Sequence, residues 1–204
     1  DLHQNLYSRP DLFPDALHPN MDGAAILAKT VYQNITQDFG GLKLATVFTD
    51  NMVLQRDQPI IIYGSANGGD VVEVSFKDQK KSATTNQYGK WEVVFPAKTQ
   101  GGSHEMTIRS NQKNIVLKNI LIGDVWFCSG QSNMVFQLQQ SENGNEEIKK
   151  GFPNASIRLF NFKDVRETDN TIWDSLTLAK TNQLQFFSGK WTECTAENAE
   201  DFSA

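Results

Sequence analysis

Between residues 42 and 123 the chain is cut into short apolar runs at nearly regular intervals, and that rhythm restricts the fold more than any other feature. Seven stretches have strand character: 42–48, 52–55, 60–63, 71–76, 90–95, 105–109 and 115–122. Side chains alternate across a strand, so Val72, Val74 and Phe76 share one face, as do Trp91, Val93 and Phe95. Asn67-Gly68-Gly69-Asp70, residues 86–89 and Gly101-Gly102-Ser103 separate these runs with turn chemistry. About seven short strands punctuated in this way predict a β-sandwich over residues 42–122.

The flanks read differently. Pro10, Pro14 and Pro19 interrupt regular structure before Asn20, a good N-cap, with Asp22 placed for the first turn. Ala25, Leu27, Ala28, Val31, Tyr32 and Ile35 follow at helical spacing, and Gly40-Gly41 closes the segment. A lone helix of this length is marginal in water, so its apolar face requires a partner. After Gly123, Val125-Trp126-Phe127-Cys128 reads as a strand buried on both faces of an α/β sheet. Residues 156–162 read as another strand and 164–170 as polar loop. The expectation is therefore three parts, 1–40, 42–122 and 123–204, in an α/β plus all-β chain.

Composition excludes several function classes. The 204 residues are 39% hydrophobic and 21% charged, which suits a packed globular core. No apolar run reaches the ~18 residues of a membrane helix. The net charge of -5 argues against a nucleic-acid partner, which needs a concentrated cationic surface. Lys80-Lys81 reads as a solvated turn, and His104 as a surface residue in a turn. His3 lies in a terminus that frays. Cys128 and Cys194 make neither a disulfide framework nor a metal motif, and Cys128, inside an apolar run, reads as a buried inert thiol. Asn34-Ile35-Thr36 and Asn154-Ala155-Ser156 match the N-glycosylation triplet, which arises often by chance. The chain opens on Asp1 with no signal-peptide pattern and its last residues carry no capping signal, so both ends read as cut.

Two groupings could carry chemistry. In Gly130-Gln131-Ser132 a serine follows a presumed buried strand on a tight turn. Such a turn exposes the hydroxyl at the sheet's carboxyl edge, where backbone N–H groups can hold an oxyanion. A serine needs an adjacent base to become a nucleophile. Asp15-Ala16-Leu17-His18 offers one, because a carboxylate three residues before the imidazole can fix its tautomer. An ordinary turn serine and an ordinary surface pair are the plain alternatives.

The longer string Gly123-Asp124-Val125-Trp126-Phe127-Cys128-Ser129-Gly130-Gln131-Ser132-Asn133-Met134 resembles the opening signature of the sialate O-acetylesterase family, within the SGNH (GDSL-like) esterases. Thr49-Asp50-Asn51-Met52-Val53-Leu54-Gln55-Arg56 resembles the family's start, and Ile157-Arg158-Leu159-Phe160 and residues 191–204 also fit. The resemblance implies that Ser132, rather than Ser129, is the nucleophile of a flavodoxin-like SGNH domain that begins at 123. Phe13-Pro14-Asp15 through His18 resembles the closing motif of a GDSL-type esterase, with His18 as general base oriented by Asp15. In the family the base follows its serine, whereas here it precedes it across a sandwich. Two readings follow: two incomplete sites flanking the sandwich, or a single permuted site. The family's further oxyanion donors, a glycine and an asparagine from later blocks, are not identifiable in this sequence. The implied function is hydrolysis of acetyl esters on sialic acid or a related glycan, without metal or organic cofactor, in a secreted or periplasmic protein. The isolated chain is expected to be inactive. A glycan-binding or spacer module and a general SGNH lipase or thioesterase are the alternatives.

Overall fold

The computed structural model describes residues 10–15, 17–111, 113–130, 132–151, 153–164, 184 and 187–203. It is a mixed α/β structure dominated by sheet. Of the sequence expectations, His3 and residues 165–170 of the polar loop lie outside the described residues.

Helix α1 (Met21–Thr36) begins as its sequence requires: the Asn20 side chain accepts the Gly23 backbone N–H at 2.9 Å, and Asp22 sits in the first turn. It ends at Gln37, in the left-handed conformation at φ 57°, short of the Gly40-Gly41 pair. Asn67 then ties the exit to the sheet, its Oδ1 accepting from Phe39 N and Gly41 N. Val31, Tyr32 and Ile35 remain exposed, so the apolar stripe finds no cover among the described residues.

Two sheets follow. The smaller has the order β1 (Lys43–Leu44), β3 (Ile60–Ser65), β6 (Lys90–Phe95), all antiparallel. The larger has the order β2 (Val53–Gln55), β8 (Lys113–Gly123), β7 (Gly101–Ser110), β4 (Val71–Phe76), β5 (Gln79–Thr84). Its β2–β8 pair is parallel and the other pairs are antiparallel. The alternation read from the sequence sets which residues are inside: Val72, Val74 and Phe76 of β4 join Trp91, Val93 and Phe95 of β6 in one buried cluster. Ile60, Ile62, Met106, Ile108, Ile120 and Ile122 also belong to it. Phe76 and Phe95 meet edge to face across the two sheets, with ring centroids 6.0 Å apart. Gly64 is required on β3, because a Cβ there would overlap the Lys43 carbonyl oxygen of β1.

Several expectations are corrected. Gln79–Thr84, which contains Lys80-Lys81, is a strand rather than a solvated turn. It forms the sheet's outer edge, where Ala83 packs on the core and Lys80, Lys81, Ser82 and Thr84 are exposed, so little apolar alternation is needed. Gly101-Gly102-Ser103 opens β7 instead of forming a turn. His104 lies in that strand against Phe76, ring centroids 5.9 Å apart, and burial pushes its imidazole pKa down. The run 42–48 contributes only the two residues of β1.

The C-terminal part is smaller. Helix α2 (Gly144–Gly151) precedes β9 (Asn154–Phe160), close to the strand expected at 156–162. β10 (Lys163–Asp164) pairs with β11 (Phe187–Ser188), and β12 (Trp191–Cys194) pairs antiparallel with β9. Helix α3 (Ala196–Glu200) closes the described chain, capped by Thr195. Trp191 docks this part onto the sheets: its indole Nε1–H donates to Val47 O at 2.9 Å and its backbone N–H to Thr49 Oγ1 at 3.0 Å. Among the described residues no helix is long and apolar enough to cross a membrane.

Phe76→Ala removes a ring that packs against both sheets, and it should cost about 3–5 kcal/mol of stability in urea unfolding. A loss below about 1 kcal/mol would show that the two sheets do not share this core.

Candidate active site

The serine-bearing segment leaves the larger sheet from the end of β8. Arg56 fixes its start: its backbone N–H donates to Gly123 O at 2.9 Å, and its Nε–H to Asp124 Oδ1 at 2.9 Å. The Val125 N–H donates to Gln55 Oε1 at 2.8 Å. Beyond that clamp, residues 124–130 form no strand, contrary to expectation. Trp126 is 86% and Phe127 91% exposed, and Cys128 is exposed rather than buried. An unbroken apolar run becomes a doubly buried strand only where neighbouring strands and covering helices exist. Among the described residues none lies against this one. Cys194 is the buried thiol, and burial raises its pKa.

Ser132 opens a 3-10 turn, Ser132–Val135, and is exposed. Gly130 suits the approach to that turn, since a Cβ there would come within 2.9 Å of Met134 Cγ. The far side of the turn is held from the C-terminal end. Leu138 N donates to Phe202 O at 2.8 Å, Gln139 Nε2 to Asp201 Oδ1 at 3.1 Å, and Gln137 bridges to Ser203.

Asp15 and His18 form a local pair. Asp15 Oδ1 accepts the backbone N–H groups of Leu17 at 3.0 Å and His18 at 2.6 Å, and Oδ2 lies 2.7 Å from His18 Nδ1. The His18 backbone N–H, then its side chain, then the Leu17 N–H hold the Asp15 carboxyl down at about 2. An ionised carboxylate can only accept, so Nδ1 carries a proton, and in the neutral imidazole Nε2 is then the acceptor. This is the tautomer a general base needs. The His18 and Asp15 side chains are 75% and 56% exposed. Among the described residues no hydrogen bond joins Ser132 to either of them.

A cleft of about 1360 Å³ lies elsewhere, between α1 and the smaller sheet, with Tyr32, Gln33, Tyr63, Tyr88 and Glu92 in its lining. Ser132, Asp15 and His18 are not part of it. The contacts that position the serine loop, of Arg56 with Asp124 and of Gln55 with Val125, carry no local sequence signal, because the partners are 68 and 70 positions apart.

No family model matches the chain. It is 26% identical over 169 residues to the human sialate O-acetylesterase, covering 78% of this chain and 30% of that protein. It is 27% identical over 170 residues to the mouse sialate O-acetylesterase, covering 76% of this chain and 31% of that protein. Among solved structures, a carbohydrate acetylesterase from Xanthomonas citri superimposes with a TM-score of 0.66 at 27% identity, over 79% of this chain and 34% of that one. The chain thus spans about a third of the length of each of these proteins. In sequence and in fold the chain is thus similar to sialate O-acetylesterases and to a carbohydrate acetylesterase.

Proposed function

We propose that the chain carries the nucleophile-bearing part of a carbohydrate O-acetylesterase acting on O-acetylated sialic acid or a related glycan. The observation that carries this reading is the exposed Ser132, at the head of a turn held at both ends, in a chain related to sialate O-acetylesterases. In the reaction Ser132 Oγ bonds to the acetyl carbonyl carbon while a histidine Nε2 takes its proton. The bond to the sugar oxygen breaks, and the histidine returns the proton to that oxygen. Water then attacks the acetyl-enzyme and releases acetate, restoring the serine.

The histidine that serves Ser132 lies outside this chain on this reading, and Asp15 and His18 belong to a second, separate site of GDSL type. Supporting this, no hydrogen bond joins Ser132 to the pair among the described residues, and the base precedes the serine in the chain. The architecture that accommodates both is a β-sandwich over 42–122, between the tail of one SGNH-type domain at 1–40 and the start of another at 123–204.

Ser132→Ala in the full-length enzyme should lower acetate release from an O-acetylated sialoglycan by at least ~10³-fold with glycan binding retained. Unchanged release would move the activity to another site. The 204-residue chain alone should give no Ser132-dependent hydrolysis of p-nitrophenyl acetate, and robust turnover lost in Ser132→Ala would overturn the two-site reading.

The Asp15 pair also predicts a pH dependence. A carboxyl whose folded pKa is depressed to about 2 from 3.8 contributes its stabilisation above pH 3.8, and loses it as pH falls through about 2. Carbon-detected NMR should place the Asp15 midpoint near 2. A midpoint at 3.8 would mean that the hydrogen bonds to His18 and Leu17 are absent in solution.

A further inference from the structure

We infer that Asn119 couples the sheets to the serine-bearing loop. The coupling goes beyond the esterase reading and does not depend on Ser132 being the nucleophile. In the β7–β8 ladder Met106 pairs with Leu117 but His104 with Ile120, so β8 carries one extra residue between these pairs. That is a bulge, a device that re-aims a side chain out of the regular pleat. Asn119 sits in it at φ 56°, a left-handed conformation that asparagine tolerates better than most residues.

The bulge sets the amide between the sheet unit and the C-terminal part, with both N–H groups donating and the oxygen accepting one bond. Nδ2 donates to Asn51 Oδ1 at 2.8 Å within the sheet unit, and to Glu193 Oε1 of β12 at 2.7 Å. Oδ1 accepts from Arg158 Nη2 of β9 at 3.5 Å. Arg158 is the buried member, its side chain 3% exposed, with Nη2 3.7 Å from Glu193 Oε1 and Nε lacking a partner. Nη1 is satisfied within β9 by Ala155 O at 2.6 Å and Ile157 O at 3.0 Å, so Asn119 and Glu193 are the acceptors that tie this buried guanidinium beyond its own strand, and loosening Asn119 loosens that tie.

From Glu193 the path to the serine loop is continuous. The Glu193 carbonyl accepts from Asn198 Nδ2 of α3 at 2.9 Å. Helix α3 leads directly to residues 201–203, which hold Gln137, Leu138 and Gln139. The loop around Ser132 is therefore tied to the sheet unit on two sides. One is the Gln55–Arg56 clamp at Asp124 and Val125, and the other reaches residues 137–139 through β12, which Asn119 holds at Glu193 and the sheets hold at Trp191. Only the second depends on Asn119.

Amide hydrogen exchange on the intact chain tests this. Asn119→Gly removes the amide while accepting φ 56°, and Glu193→Ala removes the opposing acceptor with no change of backbone preference. In both variants exchange at Leu138, relative to the β6 amides, should accelerate by ~10-fold or more. In Arg56→Ala the Val125 amide should accelerate and Leu138 should not. An unchanged ratio of Leu138 to β6 exchange in either Asn119→Gly or Glu193→Ala overturns the coupling, whether both rates stay fixed or rise together. Leu138 acceleration in Arg56→Ala would overturn the independence of the two anchors.

Discussion

Everything in this molecule is hung from the contact between two sheet faces that meet around Phe76 and Phe95. Each large apolar side chain that leaves water there contributes about 1.5–3 kcal/mol before the entropy of ordering is subtracted. Among the described residues both sheets bury their apolar faces in this one cluster. The smaller sheet has three strands, one of them two residues long, and it would not persist alone. The larger supplies the rigid edge, β2 beside β8, from which the candidate serine loop departs. Positions on that loop are meaningful only because the edge behind it is fixed.

The parts of the fold legible in the sequence are those where one face of a strand is wet and the other dry. In 71–76 and 90–95 the alternation alone names the residues that face inward. The Asn20 cap was legible for the same local reason, since a cap and its N–H lie three residues apart. Where a strand carries too few apolar residues the pattern cannot be read. Gln79–Thr84 has Ala83 as its one apolar side chain, so its place as an edge strand emerges only from its pairing with β4. The opposite failure occurs at Val125-Trp126-Phe127-Cys128. An apolar run states a preference for burial, but burial also requires surroundings, and here Trp126 and Phe127 face solvent. His104 shows a third kind of miss. A histidine beside turn-like glycines looks superficial until the strand is found to extend through them and to lay the ring on Phe76.

The candidate site divides along the same line. Asp15 and His18 are three residues apart, and their pairing is a local event that spacing can suggest. Ser132 stood out through the specificity of the string around it. What holds Ser132 in place was not legible, because its anchors are contacts between distant segments: Arg56 with Asp124, Asn119 with Glu193, Leu138 with Phe202. Asn119 did leave a trace, as a polar residue of low strand preference inside the apolar run 115–122. Such a residue marks a bulge, though not the partner it reaches.

The account stands or falls on the chemistry of one hydroxyl. The most direct measurement is covalent labelling of the full-length enzyme with a fluorophosphonate, followed by peptide mass spectrometry. The account predicts a phosphonyl adduct on Ser132, formed at neutral pH and abolished by prior denaturation. An adduct on Ser129, or labelling of the enzyme with Ser132 left unmodified, would contradict it.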